Sequence, residues 1–318
     1  MSELYPRDLR GYAEQRPTWR WPKDAQVAVS VVINWEEGAE HNILHGDGSS
    51  ENAGCDVADG RPRLGSRDLR TESMYNFGTR VGVWRVLDIL DEYRVPASVF
   101  ACGMAVERYP ELAAEFAGRG HELCGHGYRW IDYHDVAEDT ERDHIARTVA
   151  AITAATGDRP RGWYTGRTSP RTRRLVVEEG GFVYDSDAYD DELPYVDPTF
   201  GRAHLVVPYA FDTNDMRFAT TPGWTRGRDL ADELIDTLDE LVAGHSDSPR
   251  MMSVGLHLRL VGRPARSRAL RRFLDYATSH PQVWFGTRID IARWWTTQES
   301  WISESDTATA ESGTGPVR

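Results

Sequence analysis

Residues 26–33 are almost continuously apolar and β-branched, the pattern of a strand covered on both faces. The run stops at Asn34-Trp35-Glu36-Glu37-Gly38, so polar side chains gather at a strand end. Helical spacing of Val81, Trp84, Leu87, Ile89 and Leu90 predicts a helix over 74–93, followed after Pro96 by a strand over 97–102. A helix over 106–119 then leads through Gly120 into a strand over 121–124 whose end delivers His126. Further helices are expected over 136–156, 170–179, 228–243 and 267–279, with strands over 162–164, 182–184, 204–209, 251–257 and 283–285. Repeated strand-then-helix units, about seven of them, predict an α/β fold whose parallel strands close into a distorted (β/α) barrel.

Residues 1–25, rich in Pro, Arg and Trp without periodicity, read as an arm laid over a domain spanning 26–297. The polar, Gly-rich stretch 39–73 reads as a covering loop, and the Ser/Thr/Glu/Gly-rich tail 298–318 as disordered.

A net charge of -13 and a pI near 5.3 argue against nucleic-acid binding, which needs clustered Lys and Arg. Lys23, the only lysine, lies in a polar turn, which speaks against Schiff-base and P-loop chemistry. Cys55, Cys102 and Cys124 lack C-x-x-C spacing, so neither a disulfide framework nor a cysteine zinc site is expected. Without an apolar leader or a membrane-length run, a cytoplasmic protein without a membrane partner is expected.

Parallel strands of a barrel all end on one face, which brings Glu36, Glu37, His126, the loop 163–167, Asp185, Asp187 and His257 toward one another. Each also has an ordinary explanation: a solvated turn for the glutamates, capping for the aspartates, a satisfied buried ring for His257. His126 stands between two glycines, and four residues on comes Trp130, which has an N–H donor but no lone pair for a metal. Arg167 suits a planar carbonyl or carboxylate ligand.

Taken together, the stretches Asn34-Trp35-Glu36-Glu37-Gly38, Glu72-Ser73-Met74-Tyr75, His126-Gly127-Tyr128-Arg129-Trp130, Gly162-Trp163-Tyr164-Thr165-Gly166-Arg167, Tyr184-Asp185-Ser186-Asp187, 212–218 and 255–264 resemble the NodB-type polysaccharide deacetylases. Within that superfamily the chain is similar to the metal-independent allantoinases, over roughly residues 5–297. The deacetylase pattern begins Thr-Phe-Asp-Asp-Gly, base then metal ligand. Glu36 and Glu37 fall on those positions, and a slipped register leaves Asn34 as another counterpart. The deacetylase His-x-x-x-His is represented by His126 and then Trp130, and His257 matches a late Leu-His whose usual role is general acid.

The resemblance implies hydrolysis of the hydantoin ring amide of allantoin to allantoate in purine catabolism, with no metal and no cofactor. Glu36 or Glu37 is expected to activate water and His126 or His257 to protonate the leaving nitrogen. Trp35, Trp130, Trp163, Tyr164, Arg167, Asp187, Asp212 and Asn214 are expected to contact this cyclic ureide substrate. A homotetramer is also implied, which an exposed aromatic arm would suit. A cyclic imide hydrolase and a polysaccharide or peptidoglycan deacetylase are the alternatives.

Overall fold

In chain order the strands are β1 (Val27–Trp35), β2 (Ser49–Ser50), β3 (Arg63–Leu64), β4 (Ala97–Ala101), β5 (Glu122–Gly125), β6 (Gly162–Trp163), β7 (Tyr184–Asp185), β8 (Tyr195–Asp197), β9 (His204–Val206), β10 (Arg250–His257) and β11 (Val283–Phe285). They are seen in a computed structural model that describes residues 7–13, 15–57, 61–244 and 247–298. The main sheet runs β10-β1-β4-β5-β6-β7-β9-β8, with β11 against β1. All its ladders are parallel except that of β8 with β9. The sheet curls until Asn214 pairs with Gly255 of β10, where a Cβ would lie 2.3 Å from Asn214 Nδ2, so glycine is needed at the seam. The distorted barrel of about seven parallel strands is therefore the observed architecture.

The helices are α1 (Leu69–Phe77), α2 (Val83–Tyr93), α3 (Gly103–Arg108), α4 (Pro110–Gly118), α5 (Glu138–Thr156), α6 (Thr172–Glu179), α7 (Gly227–Ala243), α8 (Leu258–Val261), α9 (Pro264–Thr278) and α10 (Arg288–Thr296). Two of the expected helices prove to be divided. Helix 106–119 is split by Pro110, which starts α4 where its missing N–H costs nothing. Helix 74–93 begins earlier, because Asp68 caps Arg70 and Thr71, and a π-helical turn at Gly78–Gly82 separates α1 from α2.

Alternation along β1 sets the two cores. Val27, Val29, Val31, Ile33 and Trp35 face the helical layer, whereas Ala28 and Val32 face the barrel interior. The interior floor is polar: Arg288, fully buried, donates to Ser186 Oγ at 2.9 Å, Ser253 Oγ at 3.1 Å and Pro208 O at 2.6 Å. Glu122 accepts from Ser98 Oγ at 2.6 Å and Tyr184 OH at 2.8 Å, so these buried polar groups are partnered.

The end of the arm packs into the domain. Trp21 is buried in the interior core, donates through Nε1 to Arg250 O at 2.7 Å and stacks on Trp284 at 6.0 Å. Its apolar ring is thus covered by its own chain at the end of the barrel where β10 and β11 begin. The expected disordered tail lies, from residue 299 on, outside the described residues.

Candidate active site

Glu36 extends the inward series of β1 by one residue, and parallel register sets Asn34 beside His257 and Phe100. Glu36 is buried; its Oε1 lies 3.3 Å from His126 Nε2 and 3.4 Å from His257 Nε2, and its Oε2 accepts from Arg259 Nη2 at 2.6 Å. Burial alone would raise this carboxyl, but Arg259, His257 and His126 hold it well below the usual carboxylate range. Glu37 turns elsewhere: Oε2 accepts from the Glu36 N–H at 3.2 Å and Oε1 from the Arg259 N–H at 3.2 Å. Burial pushes Glu37 up; Arg259 Nη1, 3.4 Å away, offsets this in part, and Glu36 adds to the rise. Of the two carboxylates sharing one guanidinium, the nearer is held low and the farther is pushed up.

His126 reaches the site because Gly127 takes φ 68°, a left-handed turn that favours glycine, while the Tyr133 hydroxyl accepts from the N–H groups of Tyr128 and Arg129 at 3.2 and 3.3 Å. A carbonyl can only accept, so His126 Nδ1 at 2.9 Å from Tyr164 O carries its proton there. Nε2 is then the nitrogen that faces Glu36 Oε1, at 3.3 Å. Tyr164 stacks on this ring at 5.2 Å and on Phe100 at 4.6 Å.

His257 is held by Asp215, whose Oδ1 lies 2.7 Å from Nδ1 and whose carboxylate also takes the His257 and Val261 N–H groups. Burial works against a charged ring, but Glu36 and Asp215 outweigh it and raise His257 to about 9. At neutral pH this gives an ionised carboxylate facing an imidazolium, a proton acceptor and a proton donor on one spot.

Arg259, just past His257 at the start of α8, is 2% exposed. Besides Glu36 and Glu37 it donates through Nε to Gly54 O at 2.5 Å, and its guanidinium carbon lies 4.3 Å from the Tyr75 ring centre and 5.4 Å from that of Trp130. Arg167 meets the same Trp130 ring at 4.1 Å. Gly54, in the stretch 39–73, packs on all three: a Cβ there would lie 3.0 Å from Arg259 Nη2 and 3.1 Å from Trp130 Cη2 and Tyr75 OH. Gly78 in the π-helical turn is tighter still, with its Cβ position 2.3 Å from Glu37 Oε1 and 3.0 Å from Arg259 N. Gly78→Ala is therefore expected to lower unfolding free energy by about 1–3 kcal/mol in urea titration, together with activity.

The other residues expected at the site divide. Tyr164, Trp130 and Arg167 surround it, but Trp35 belongs to the helix-side core, as strand alternation with Glu36 requires, and packs on Phe116 at 5.8 Å. Trp163 packs under Phe182 and donates to Thr165 Oγ1 at 2.8 Å. Asp187, pushed up to about 7 by burial and by Asp185, accepts from the Thr165 and Gly166 N–H groups and so shapes the Arg167 loop. Asp185 is committed to Arg173 and His204, both at 2.9 Å. Asn214 caps Met216 and holds Tyr209 OH at 3.2 Å, on the same seam as Asn34. Asp212 is exposed on a separate groove of about 480 Å³ that also exposes Tyr189 and Phe211.

Arg259 and Asp215 were not among the expected site residues. Their signals were present: a lone arginine inside Leu258-Arg259-Leu260-Val261 needs a buried carboxylate, and an aspartate after the Asn214 cap sits at a helical start facing β10.

A divalent metal, which catalytic sites hold with about three protein ligands, does not fit this donor set. Trp130 offers no lone pair, Glu36 Oε2 is taken by a guanidinium, and His257, raised to about 9, keeps a proton on the Nε2 that faces Glu36. No group of three or more His, Cys, Asp or Glu among the described residues is arranged to hold an ion.

Residues 72–182 match the polysaccharide deacetylase family profile. A Schizosaccharomyces pombe protein assigned as a polysaccharide deacetylase is 38% identical over 311 residues, covering 91% of this chain and 96% of its own length. The crystal structure of PuuE allantoinase has a TM-score of 0.90 at 50% identity, covering 93% of this chain and 98% of that one. A Pseudomonas aeruginosa PAO1 structure assigned as a polysaccharide deacetylase gives 0.89 at 51%, over 92% and 98%.

Proposed function

The chain belongs to the polysaccharide deacetylase family, and from that membership we propose that it hydrolyses the hydantoin ring amide of allantoin, giving allantoate, without a divalent metal. One arrangement carries the reading: the Glu36 carboxylate lies between His126 and a protonated His257, with Arg259 rather than a metal-ligand set on its far side. The likeness to PuuE allantoinase over nearly the whole chain supports the same ring substrate.

Water bound at Glu36 Oε1 beside His126 Nε2 gives its proton to Glu36 as its oxygen attacks the ring carbonyl. Electron density moves to the carbonyl oxygen, which takes hydrogen bonds from donors at the rim, Trp130 Nε1 and the Arg167 guanidinium, each good donor being worth about 3 kcal/mol. The ring C–N bond then breaks and the nitrogen takes the Nε2 proton of His257; the new carboxyl group returns a proton to His257, and Glu36 releases the one it took from water to solvent, which restores both residues. A hydantoin carbonyl is a more activated acyl centre than a sugar N-acetyl group, so this chemistry needs less Lewis-acid help. Because allantoin derives from urate, the reaction belongs to purine catabolism.

Gly54 lying on Trp130 and Arg259 favours a small ligand over a polymer, which requires an open groove. A panel of allantoin, hydantoin, dihydrouracil, succinimide and N-acetylglucosamine oligomers tests the assignment. The highest kcat/KM is expected on allantoin; preference for an imide, or acetate release from the oligomers alone, would reassign the substrate.

A further inference from the structure

We propose that Arg259 is the built-in cation of this site: its guanidinium occupies the charge position beside Glu36 and orients that carboxylate. The inference rests on the metal-free reading above and names the residue that makes it workable. A buried charge must be paired and hydrogen-bonded, and every part of this one is: Nη2 on Glu36, Nη1 toward Glu37, Nε on Gly54 O, and Tyr75 and Trp130 against its plane. The fork leaves Glu36 Oε1 directed at the two histidines, where a proton must be accepted. A second cation on Glu36 would meet the charges of both Arg259 and His257 at close range in a buried setting.

Trp130 gains a positive role here. Where a histidine would compete for a metal, the indole offers a π-face to a guanidinium, and it does so to Arg259 and Arg167 together. Tyr75 is placed against the same guanidinium by the helical segment whose π-turn lets Gly78 and Gly82 approach Glu37 and Leu258 O without a Cβ. Local irregularity in that segment is thereby explained by the cation it packs against. Arg259 acts through Glu36 and is a positioning residue.

Arg259→Ala, assayed on allantoin with and without millimolar guanidinium chloride, tests this, alongside calorimetric titration of the wild-type protein with Zn²⁺. The variant is expected to lose about a hundredfold or more in kcat, with KM moving less, and guanidinium is expected to restore about tenfold where ammonium does not. Arg259→Lys should fall between, because an ammonium cannot fork. The wild type should take up no stoichiometric zinc. A folded Arg259→Ala within about twofold of wild type, or guanidinium without effect on it, overturns the assignment. So does wild-type uptake of one zinc that His126→Ala abolishes, and this arm decides the outcome if Arg259→Ala fails to fold. If the wild type ignores allantoin, the substrate reading falls, and the same variants assayed on the panel substrate that it does turn over decide the role of Arg259.

Discussion

Glu36→Gln is expected to lower kcat on allantoin by about 10²- to 10⁴-fold, the span associated with loss of a positioned general base. The amide keeps the volume of the carboxylate but cannot take a proton from water. Its NH₂ group would also face Arg259 Nη2 or the two histidine nitrogens, all within 3.4 Å of the present oxygens. Glu37→Gln should behave differently. Glu37 is already pushed up, and its oxygens serve backbone N–H groups rather than the histidines. We expect its turnover to stay within about tenfold of wild type while stability falls by roughly 1–3 kcal/mol, the cost of a disturbed buried hydrogen bond. Stopped assays beside urea titrations of both variants check the pair, and equal losses of turnover would remove the division of labour between the two glutamates.

Asp215→Asn is expected to have the second large effect, visible in the pH profile. His257 must be protonated to serve the leaving nitrogen, so activity should hold at neutral pH and fall as pH rises through about 9. Asp215 helps to raise that value, so its neutral isostere should move the alkaline limb to lower pH and reduce kcat at pH 8. Linkage gives the same sign for stability: a raised folded-state value contributes fully below the ordinary histidine range and is lost as pH climbs through about 9. Asparagine also turns an NH₂ toward donors at His257 and Val261, adding a stability loss of about 1–3 kcal/mol. Log(kcat/KM) against pH for both proteins measures the shift; an unmoved limb would separate Asp215 from the titration of His257.

Much of this was legible in the chain, for identifiable reasons. The strand-end rule picked out Glu36, His126 and His257 because each follows a buried run, and parallel strands deliver such ends to one face. Alternation on β1 was equally legible and separates Trp35 from Glu36, although the two adjoin in the polar strand end. Arg259 was obscured by its position directly after His257, within a four-residue helix that no periodicity reveals. Its role depends on Tyr75, Gly54 and Trp130, which no local pattern brings together. Asp212 and Asn214 lie in the loop before the 3-10 turn Asp215–Ala219, yet it is the neighbouring Asp215 that holds the histidine, a one-residue difference that cap geometry decides.

Turnover of allantoin by chelator-stripped protein, verified by elemental analysis to hold no transition metal, decides whether Glu36, His257 and Arg259 suffice. An unchanged kcat/KM, indifferent to added zinc, is the expected result; activity lost on stripping and regained with zinc would contradict metal-free catalysis.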